Sequence, residues 1–361
     1  MSGTSLDGID AALLVGDGET VEQFGATLYQ PYSSDQVSQL QDLLANAAQE
    51  ERDLASTDQY EQVTRAFTLA HAEAVAQLLA ENGLEPADID LLGLHGQTIL
   101  HRPAEGWTWQ MSDGDLLAKK SGIAVIDDFR SADVAAGGQG APFAPLYHQA
   151  LLNSADLSHE EYPITILNIG GISNLTWVSE AGDVIGFDTG PGNAQLNDWV
   201  SQHCSQPFDR DGLIAATGQV DTQIVNQVLQ NSYFSAPYPK SLDRQDFDLA
   251  AVQALSPADG AATLTAITVA GIVHALQQLP TLPKAIYVCG GGRKNLHLMR
   301  ELARVSQTKT EPVEALGWRG DFLEAECFAH LAIRSALGMP LSLPTTTGAK
   351  SAVTGGVLHH P

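Results

Sequence analysis

Apolar residues recur along this chain with two alternating periods. Residues 9–15, IDAALLV, form a short apolar run between Gly8 and the turn Gly16-Asp17-Gly18, which predicts a strand. From 36 to 83 the period changes: Leu40, Leu43 and Leu44, then Val63, Phe67, Ala70, Ala74 and Leu78, fall at helical spacing. Strands are predicted again at 89–94, running into HGQT, and at 123–126, running into DDFR, with a helix near 145–152. The polar stretch 153–163, NSADLSHEEYP, ends in proline and marks a domain boundary. Beyond it, three short strands joined by glycine turns are predicted over ITILNIGG, ISNLTWV and VIGFDTGPGN, the last running into a helix at 194–202. Helices at about 219–231 and 258–279, a strand at 284–288 entering CGGG, helices at 295–304 and 321–337 and a Gly/Thr-rich tail complete the pattern.

This alternation predicts an α/β protein of two domains, residues 1–160 and 161–361, with the tail free to pack back on the first. An internal echo supports the division. GTSLDG near the start and NIGGISN at 168–174 both look like glycine turns between two strands opening an α/β unit, as in a duplicated fold with a cleft between its halves.

Composition narrows the function. Among 361 residues there are 43 acidic and 18 basic side chains, a formal charge of −25. Phosphate backbones and anionic membranes are bound by Lys and Arg clusters, so neither nucleic acid nor a membrane surface is the expected partner. Cys204, Cys289 and Cys327 are far apart and form no CxxC, which argues against a disulfide framework or a structural zinc site. The opening MSGTSLDGID lacks the basic and apolar regions of a secretory leader, and 264–279 is short for a bilayer span. A cytoplasmic protein is expected.

Five motifs can carry chemistry. In Ser2-Gly3-Thr4-Ser5-Leu6-Asp7-Gly8, small residues let backbone amides approach an anion, and Asp7 can hold Mg²⁺ through water; the plain reading is a glycine hairpin. Asn168-Ile169-Gly170-Gly171-Ile172-Ser173-Asn174 is a second phosphate-sized turn. Asp188, at the carboxyl end of a buried strand in FDTGPGN, can act as a base while the next helix faces an anion; alternatively it only caps that helix. Gly290-Gly291-Gly292 with Asn295 allows close backbone approach to a flat or anionic ligand. His95-Gly96-Gln97-Thr98, Asp128-Phe129-Arg130 with Asp133, and the glycines of 137–142 suit sugar hydroxyls and an N-acyl group. Arg130 can clamp a carboxylate or phosphate, or pair with Asp128 or Asp133, and His95 can simply be a buried histidine.

In this order the motifs resemble the anhydro-N-acetylmuramic acid kinase family, within the sugar kinase, heat-shock-cognate and actin superfamily. The likeness runs over the whole chain, through MSGTSLDGID, GLHGQTILHRP, DDFRSADVAAGGQGAP, LNIGGISNLT, GFDTGPGN, PYPKSLDR, CGGGRKN, GDFLEAECFAHLA and LPTTTGA. It implies two actin-like (ribonuclease H-like) α/β domains closing on ATP, Mg²⁺ and an amino sugar, in a homodimer. By motif, Gly3, Thr4, Ser5, Leu6, Asp7, Gly8 and Asp10 resemble the first phosphate loop, and Gly170 and Gly171 the second. Gly290, Gly291, Gly292 and Asn295 are similar to the adenosine-binding segment. Gln97, Thr98, Arg130 and Glu324 look like sugar-side residues, and Asp188 like the catalytic base. The implied reaction opens 1,6-anhydro-N-acetylmuramic acid with water and phosphorylates O6, in peptidoglycan recycling. An aspartate at its ordinary pKa of about 3.9 is a weak base, sufficient when the reactants are held in attack geometry. Alternatives are another hexosamine or acyl-group kinase of the superfamily, or a non-catalytic ATP-binding module.

Three positions depart from the family pattern. The resemblance implies a strand ahead of MSGTSLDG, so the first strand of domain one is expected to be missing. The segment expected as PPKSTGRE reads Pro239-Lys240-Ser241-Leu242-Asp243-Arg244-Gln245, and Asp127 stands where a small residue is usual, placing negative charge near the sugar site.

Overall fold

The computed structural model describes residues 1–3, 6–50, 55, 57–242, 247 and 250–361. The chain forms two compact units, Met1–Ser154 together with Phe322–Pro361, and Ala155–Asp321.

The first unit opens with a hairpin of β1 (Gly8–Gly16) and β2 (Val21–Pro31), paired from Gly8↔Pro31 to Gly16↔Val21. Asp17 closes its turn: one carboxylate oxygen accepts the amides of Glu19 and Thr20 at 2.9 and 2.7 Å. The helical stretch resolves into α1 (Ser34–Glu50) and α2 (Asp58–Glu81), the second capped by Thr57. Leu40, Leu43, Val63 and Phe67 form one core with Leu6, Ile99 and Met111. Then come β3 (Leu92–Gly93), a hairpin of β4 (Gln97–Arg102) and β5 (Trp107–Met111), α3 (Gly114–Ser121), β6 (Val125–Asp127), α4 (Ser131–Ala135) and α5 (Ala144–Ser154).

The second unit holds a single five-stranded sheet. Its strands are β7 (Ile164–Ile169), β8 (Ile172–Val178), β9 (Val184–Pro191), β10 (Ala285–Cys289) and β11 (Lys309–Pro312), in the order β11-β10-β7-β8-β9. Helices α6 (Asn193–Cys204), α7 (Thr222–Leu229), α8 (Ser232–Ser235), α9 (Pro257–Leu276) and α10 (Leu296–Ser306) complete it. Phe187, Leu167, Ile169 and Ile286 pack against Val269, Ile272 and Leu302, each such side chain contributing roughly 1.5–3 kcal/mol on burial. Helix α9 begins seven residues ahead of the 264–279 run and reaches 20 residues, so length alone does not exclude a bilayer. Most of it is buried within the unit, as in a core helix.

The chain then returns to the first unit, where α11 (Leu323–Ala336) packs on β1 and β3 and β12 (Val357–His359) pairs antiparallel with β6. The second unit therefore ends at Asp321, not at the C-terminus as a cut at residue 160 alone would have it.

Five of the described strands escape the periodic reading. β2 carries polar residues and Gly25 along a half-buried face; β4, β5, β11 and β12 are too short to show a period, and only pairing makes them strands. The expected strand at 89–94 shrinks to Leu92–Gly93, paired with β6 alone. No strand joins β1 to β3 among the described residues, whereas β7 joins β8 to β10 in the second unit. Between β1 and β3 lies an apolar cavity of about 90 Å³ lined by Ile9, Ala11, Leu13, Ala74, Leu92 and Leu117.

Asp127 does not add free charge to the sugar side. Its carboxylate accepts Ser112 Oγ at 2.8 Å and meets His359 Nε2 at 2.9 Å, while His359 Nδ1 meets Asp115 at 2.8 Å. Burial opposes the charge on His359, but its bonds to Asp115 and Asp127 outweigh that and raise its pKa above 6.5. A raised folded-state pKa gives stability that is complete below the ordinary value and lost as pH climbs through the folded one. The melting temperature of His359→Gln should therefore lie a few degrees at most below wild type near about pH 6, and that gap should close by about pH 9. A gap that is constant with pH would show that His359 is held uncharged.

Candidate active site

In the first unit, the expected phosphate loop turns tightly: Leu6 N–H donates to Gly3 O at 3.3 Å. Thr4 and Ser5 lie outside the described residues. Leu6 adopts φ +54, uncommon for a branched residue, and sinks its side chain into the core, so only its backbone is left to face a ligand. Asp7 is exposed beside it. Gly8 is required by close approach, because a Cβ there would sit 2.4 Å from Gln30 O. Asp10 exchanges backbone bonds with Met1 at 2.8 and 2.9 Å. Ser2 Oγ, bonded to Tyr32 Oη at 2.8 Å, also donates to Gln97 Oε1 at 3.1 Å. Gln97 is fully buried, so it ties the loop to β4, and Thr98 beside it accepts from Gln110 at 3.4 Å.

Arg130 takes neither carboxylate offered by the sequence. Its Nε and Nη2 donate to His95 Nε2 at 3.2 and 3.0 Å, its Nη1 to Gly140 O at 2.6 Å, and its guanidinium lies over the rings of Phe143 and Phe328. Burial and the Arg130 charge push the His95 pKa well below 6.5, so the ring is neutral with its proton on Nδ1 and Nε2 left to accept. His95 is thus more than a core histidine: it orients the arginine. Asp133 instead accepts Gly140 N–H at 2.7 Å, Thr347 Oγ1 at 2.6 Å and Ser342 Oγ, tying the 137–142 loop to the tail. Glu324 opens α11 with its side chain exposed. Surrounding protein raises its carboxyl pKa, opposed by the Arg130 charge.

In the second unit, Gly170 and Gly171 form the turn between β7 and β8, with Gly171 exposed. The amides that open α6 do not face outward as the sequence suggested. Those of Gly192 and Ala194 donate to Gly171 O at 3.0 and 3.2 Å, and that of Asn193 to Gly170 O at 2.7 Å. The turn's carbonyls thus take up the orphan donors of the helix end.

Asp188 does not cap that helix, whose N-cap is Gly192. It sits buried on β9, opposite Asn174, where the register slips between Ser173 and Asn174. Thr189 is the extra residue, and such a bulge turns the neighbouring side chain out of the regular alternation. Its Oδ2 accepts Leu242 N–H at 2.8 Å, a bond to a charged acceptor worth roughly 1.5–3 kcal/mol. Asp243, Arg244 and Gln245, the rest of that altered segment, lie outside the described residues.

At the end of β10, Gly290 has φ +71 and a Cβ would lie 2.3 Å from Asn168 Oδ1, so only glycine fits. Gly292 is buried, but Gly291 is exposed and remains open to a ligand. Asn295 uses Oδ1 to cap α10 through Leu298 N–H at 3.0 Å. Arg293 was missed, although it directly follows the three glycines. Almost wholly buried, it donates to Gly290 O at 2.9 Å and pairs with Glu314 and Asp321 at 2.8 and 2.9 Å, clamping the turn from behind.

Among the described residues no three His, Cys, Asp or Glu side chains converge as a metal cage. A Mg²⁺ carried by nucleotide phosphates needs only one or two carboxylates, and exposed Asp7 on the loop, with Asp10 three residues on in β1, suits that demand.

The family described as Anhydro-N-acetylmuramic acid kinase matches residues 1–361. A protein of that name from Paramagnetospirillum magneticum is 49% identical over 364 residues, covering 100% of this chain and 98% of its own. One from Nitrobacter winogradskyi is 47% identical over 364 residues with the same coverage. Among solved structures, the activator of the 2-hydroxyisocaproyl-CoA dehydratase from Clostridium difficile is 12% identical, with TM-score 0.42, and covers 90% of each chain. A ROK family glucokinase from Streptomyces griseus is 13% identical, with TM-score 0.38, covering 90% of this chain and 96% of its own. Neither overlap is close enough to bear on the assignment, which the full-length sequence identity makes without them. On that identity this chain belongs to the anhydro-N-acetylmuramic acid kinase family and is a phosphotransferase acting on a sugar.

Proposed function

We propose that the chain uses ATP and water to convert 1,6-anhydro-N-acetylmuramic acid into N-acetylmuramic acid 6-phosphate, a cytoplasmic step in peptidoglycan recycling carried out by a homodimer. The observation that carries this reading is Asp188, a carboxylate buried beside a bulge at the end of β9 and aimed by a backbone amide. The relatives' shared name supplies the substrate.

The chemistry balances as one displacement at carbon and one at phosphorus. Asp188 accepts a proton from water as the water oxygen bonds to C1 and the C1–O6 bond breaks. The electron pair left on O6 forms the bond to the γ-phosphorus, and the bridging oxygen departs with ADP. Asp188 then returns its proton to solvent. Arg130, its fork set by His95 and Gly140, binds an anionic group of the sugar, with Gln97, Thr98 and Glu324 on the same side. The exposed Gly171 and Gly291 leave backbone open to nucleotide. Mg²⁺, held by Asp7 through water, would neutralise phosphate charge.

Turnover in ¹⁸O-water tests the coupled reaction. The label should appear at C1 of the product, with ADP formed in equal amount. A phosphorylated sugar without label at C1 would leave a simple kinase and remove the hydrolytic step.

A further inference from the structure

A lysine this close to the candidate base of a phosphotransferase invites a reading as a phosphate clamp. The geometry of Lys240 is different. Its ammonium donates to the carbonyls of Tyr233, Phe234 and Ala236 at 2.9, 3.3 and 3.0 Å and to Gln278 Oε1 at 3.2 Å. It also stands over the ring of Tyr233, 4.7 Å from its centroid, and near that of Phe187 at 5.7 Å. An ammonium has three N–H donors, and four acceptors already surround them. Three of those acceptors are carbonyls at the end of α8, where Tyr233 O also accepts Ala236 N–H at 3.2 Å and Phe234 O also accepts Gln278 Nε2, so the ammonium completes a helix terminus that is only partly satisfied by its own chain. Partial burial lowers the pKa of this half-buried lysine to about 8.

The same short stretch touches Asp188 three times. Lys240 O accepts Asp188 N–H at 3.0 Å, Leu242 N–H donates to Asp188 Oδ2 at 2.8 Å, and Tyr233 Oη donates to Asp188 O. Tyr238, between them in sequence, stacks on Phe187, the residue before Asp188, with centroids 5.1 Å apart. The main chain and the carboxylate of Asp188 are therefore both held by residues 233–242, and the ammonium of Lys240 ties the two ends of that stretch together.

We infer that Lys240 is a positioning residue: by gathering the end of α8 and Gln278 onto its ammonium, it fixes the strap from which Leu242 N–H aims the Asp188 carboxylate. This rests on the reading of Asp188 as the base. A displaced strap would leave Asp188 present but misaimed, and a misplacement of about 1 Å at a reacting group can cost about 10²-fold.

The test uses the full chain with Lys240→Met, which keeps the length of the side chain and removes its donors. We expect kcat to fall about 10- to 100-fold while KM for ATP and for the sugar stays within about twofold. The acidic limb of the kcat/KM profile should move to higher pH, because a carboxylate that loses an N–H donor is more easily protonated. Among the described residues, Tyr233, Tyr238 and Asp188 face this stretch and His274 on α9 packs against Phe234, so the shift is read in a His274→Gln background, where the acidic limb reports Asp188. Lys240→Arg, which restores charge and donors, should recover part of the lost kcat. Should Lys240→Met fail to fold, Gln278→Leu removes one acceptor of the ammonium and one donor to Phe234 O, and should lower kcat by a smaller factor in the same assay. A folded Lys240→Met, or a folded Gln278→Leu in its place, with wild-type kcat and an unmoved acidic limb overturns the inference. So does a rise in KM for ATP at unchanged kcat, which would make Lys240 a nucleotide contact. Asp188→Asn, run alongside, separates the two readings: activity in Asp188→Asn removes the base, whereas its inactivity together with an active Lys240→Met removes only the role of Lys240.

Discussion

Asp188→Asn should lose sugar phosphorylation by about 10²–10⁴-fold while binding nucleotide as wild type does, the range expected when a positioned general base is removed. The substitution is close to isosteric. An asparagine can turn its Oδ1 toward Leu242 N–H and keep the bond that Asp188 makes at 2.8 Å. The β9 bulge and the strap of residues 233–242 also hold the backbone, so the fold has little reason to change. What the amide cannot do is take a proton from water. Coupled ADP release measures the rate, and calorimetric titration with ATP measures binding. A wild-type rate in Asp188→Asn would mean that the proton goes elsewhere, with Glu324 the next carboxyl to test because its pKa is raised by its surroundings.

Arg130→Met should lower kcat/KM for the sugar by about 10²-fold or more, with KM for ATP little changed. Five N–H groups are available on a guanidinium, and three are engaged by His95 and Gly140. The remainder suits an anionic group on the substrate, and removing one partner of a buried charged pair costs about 2–5 kcal/mol. A lysine ammonium cannot reproduce the planar fork, so Arg130→Lys should recover little of the loss. His95 explains why the fork is so well set: as a neutral acceptor it orients the arginine without cancelling its charge. Steady-state kinetics with the sugar varied at saturating ATP measures this. An unchanged KM and kcat for the sugar would place the anion site elsewhere.

The arrangement also shows why motif residues differ in what they do. Gly290 is demanded by its positive φ and by Asn168, and Gly8 by β2, so these glycines are needed for the fold whether or not a ligand is present. Gly171 and Gly291 have no such requirement on them and are exposed, which makes them the better candidates for contact with nucleotide. Asn295 reads as a ligand residue in sequence, and in space its Oδ1 caps α10.

Much of this protein was determined by short-range pattern. The alternation of strand and helix periods, the glycine turn at the end of each strand and the order of motifs follow from neighbours within about ten residues, where periodicity and turn chemistry act. They were enough to indicate an α/β chain, to point at Asp188 at a strand end and to suggest the family. Tertiary structure alone decided which partners those residues meet. Asp127 is neutralised by His359 from the far end of the chain, the α6 amides are taken by Gly170 and Gly171, and Phe322–Pro361 returns to the first unit. Lys240 is turned inward onto four acceptors, and Arg130 chooses a histidine over two aspartates nearer in sequence. The physical reason is the same in each case: a buried charge or an orphaned backbone group must find a partner, and the partner it finds is set by packing between segments distant in sequence, which local periodicity does not encode.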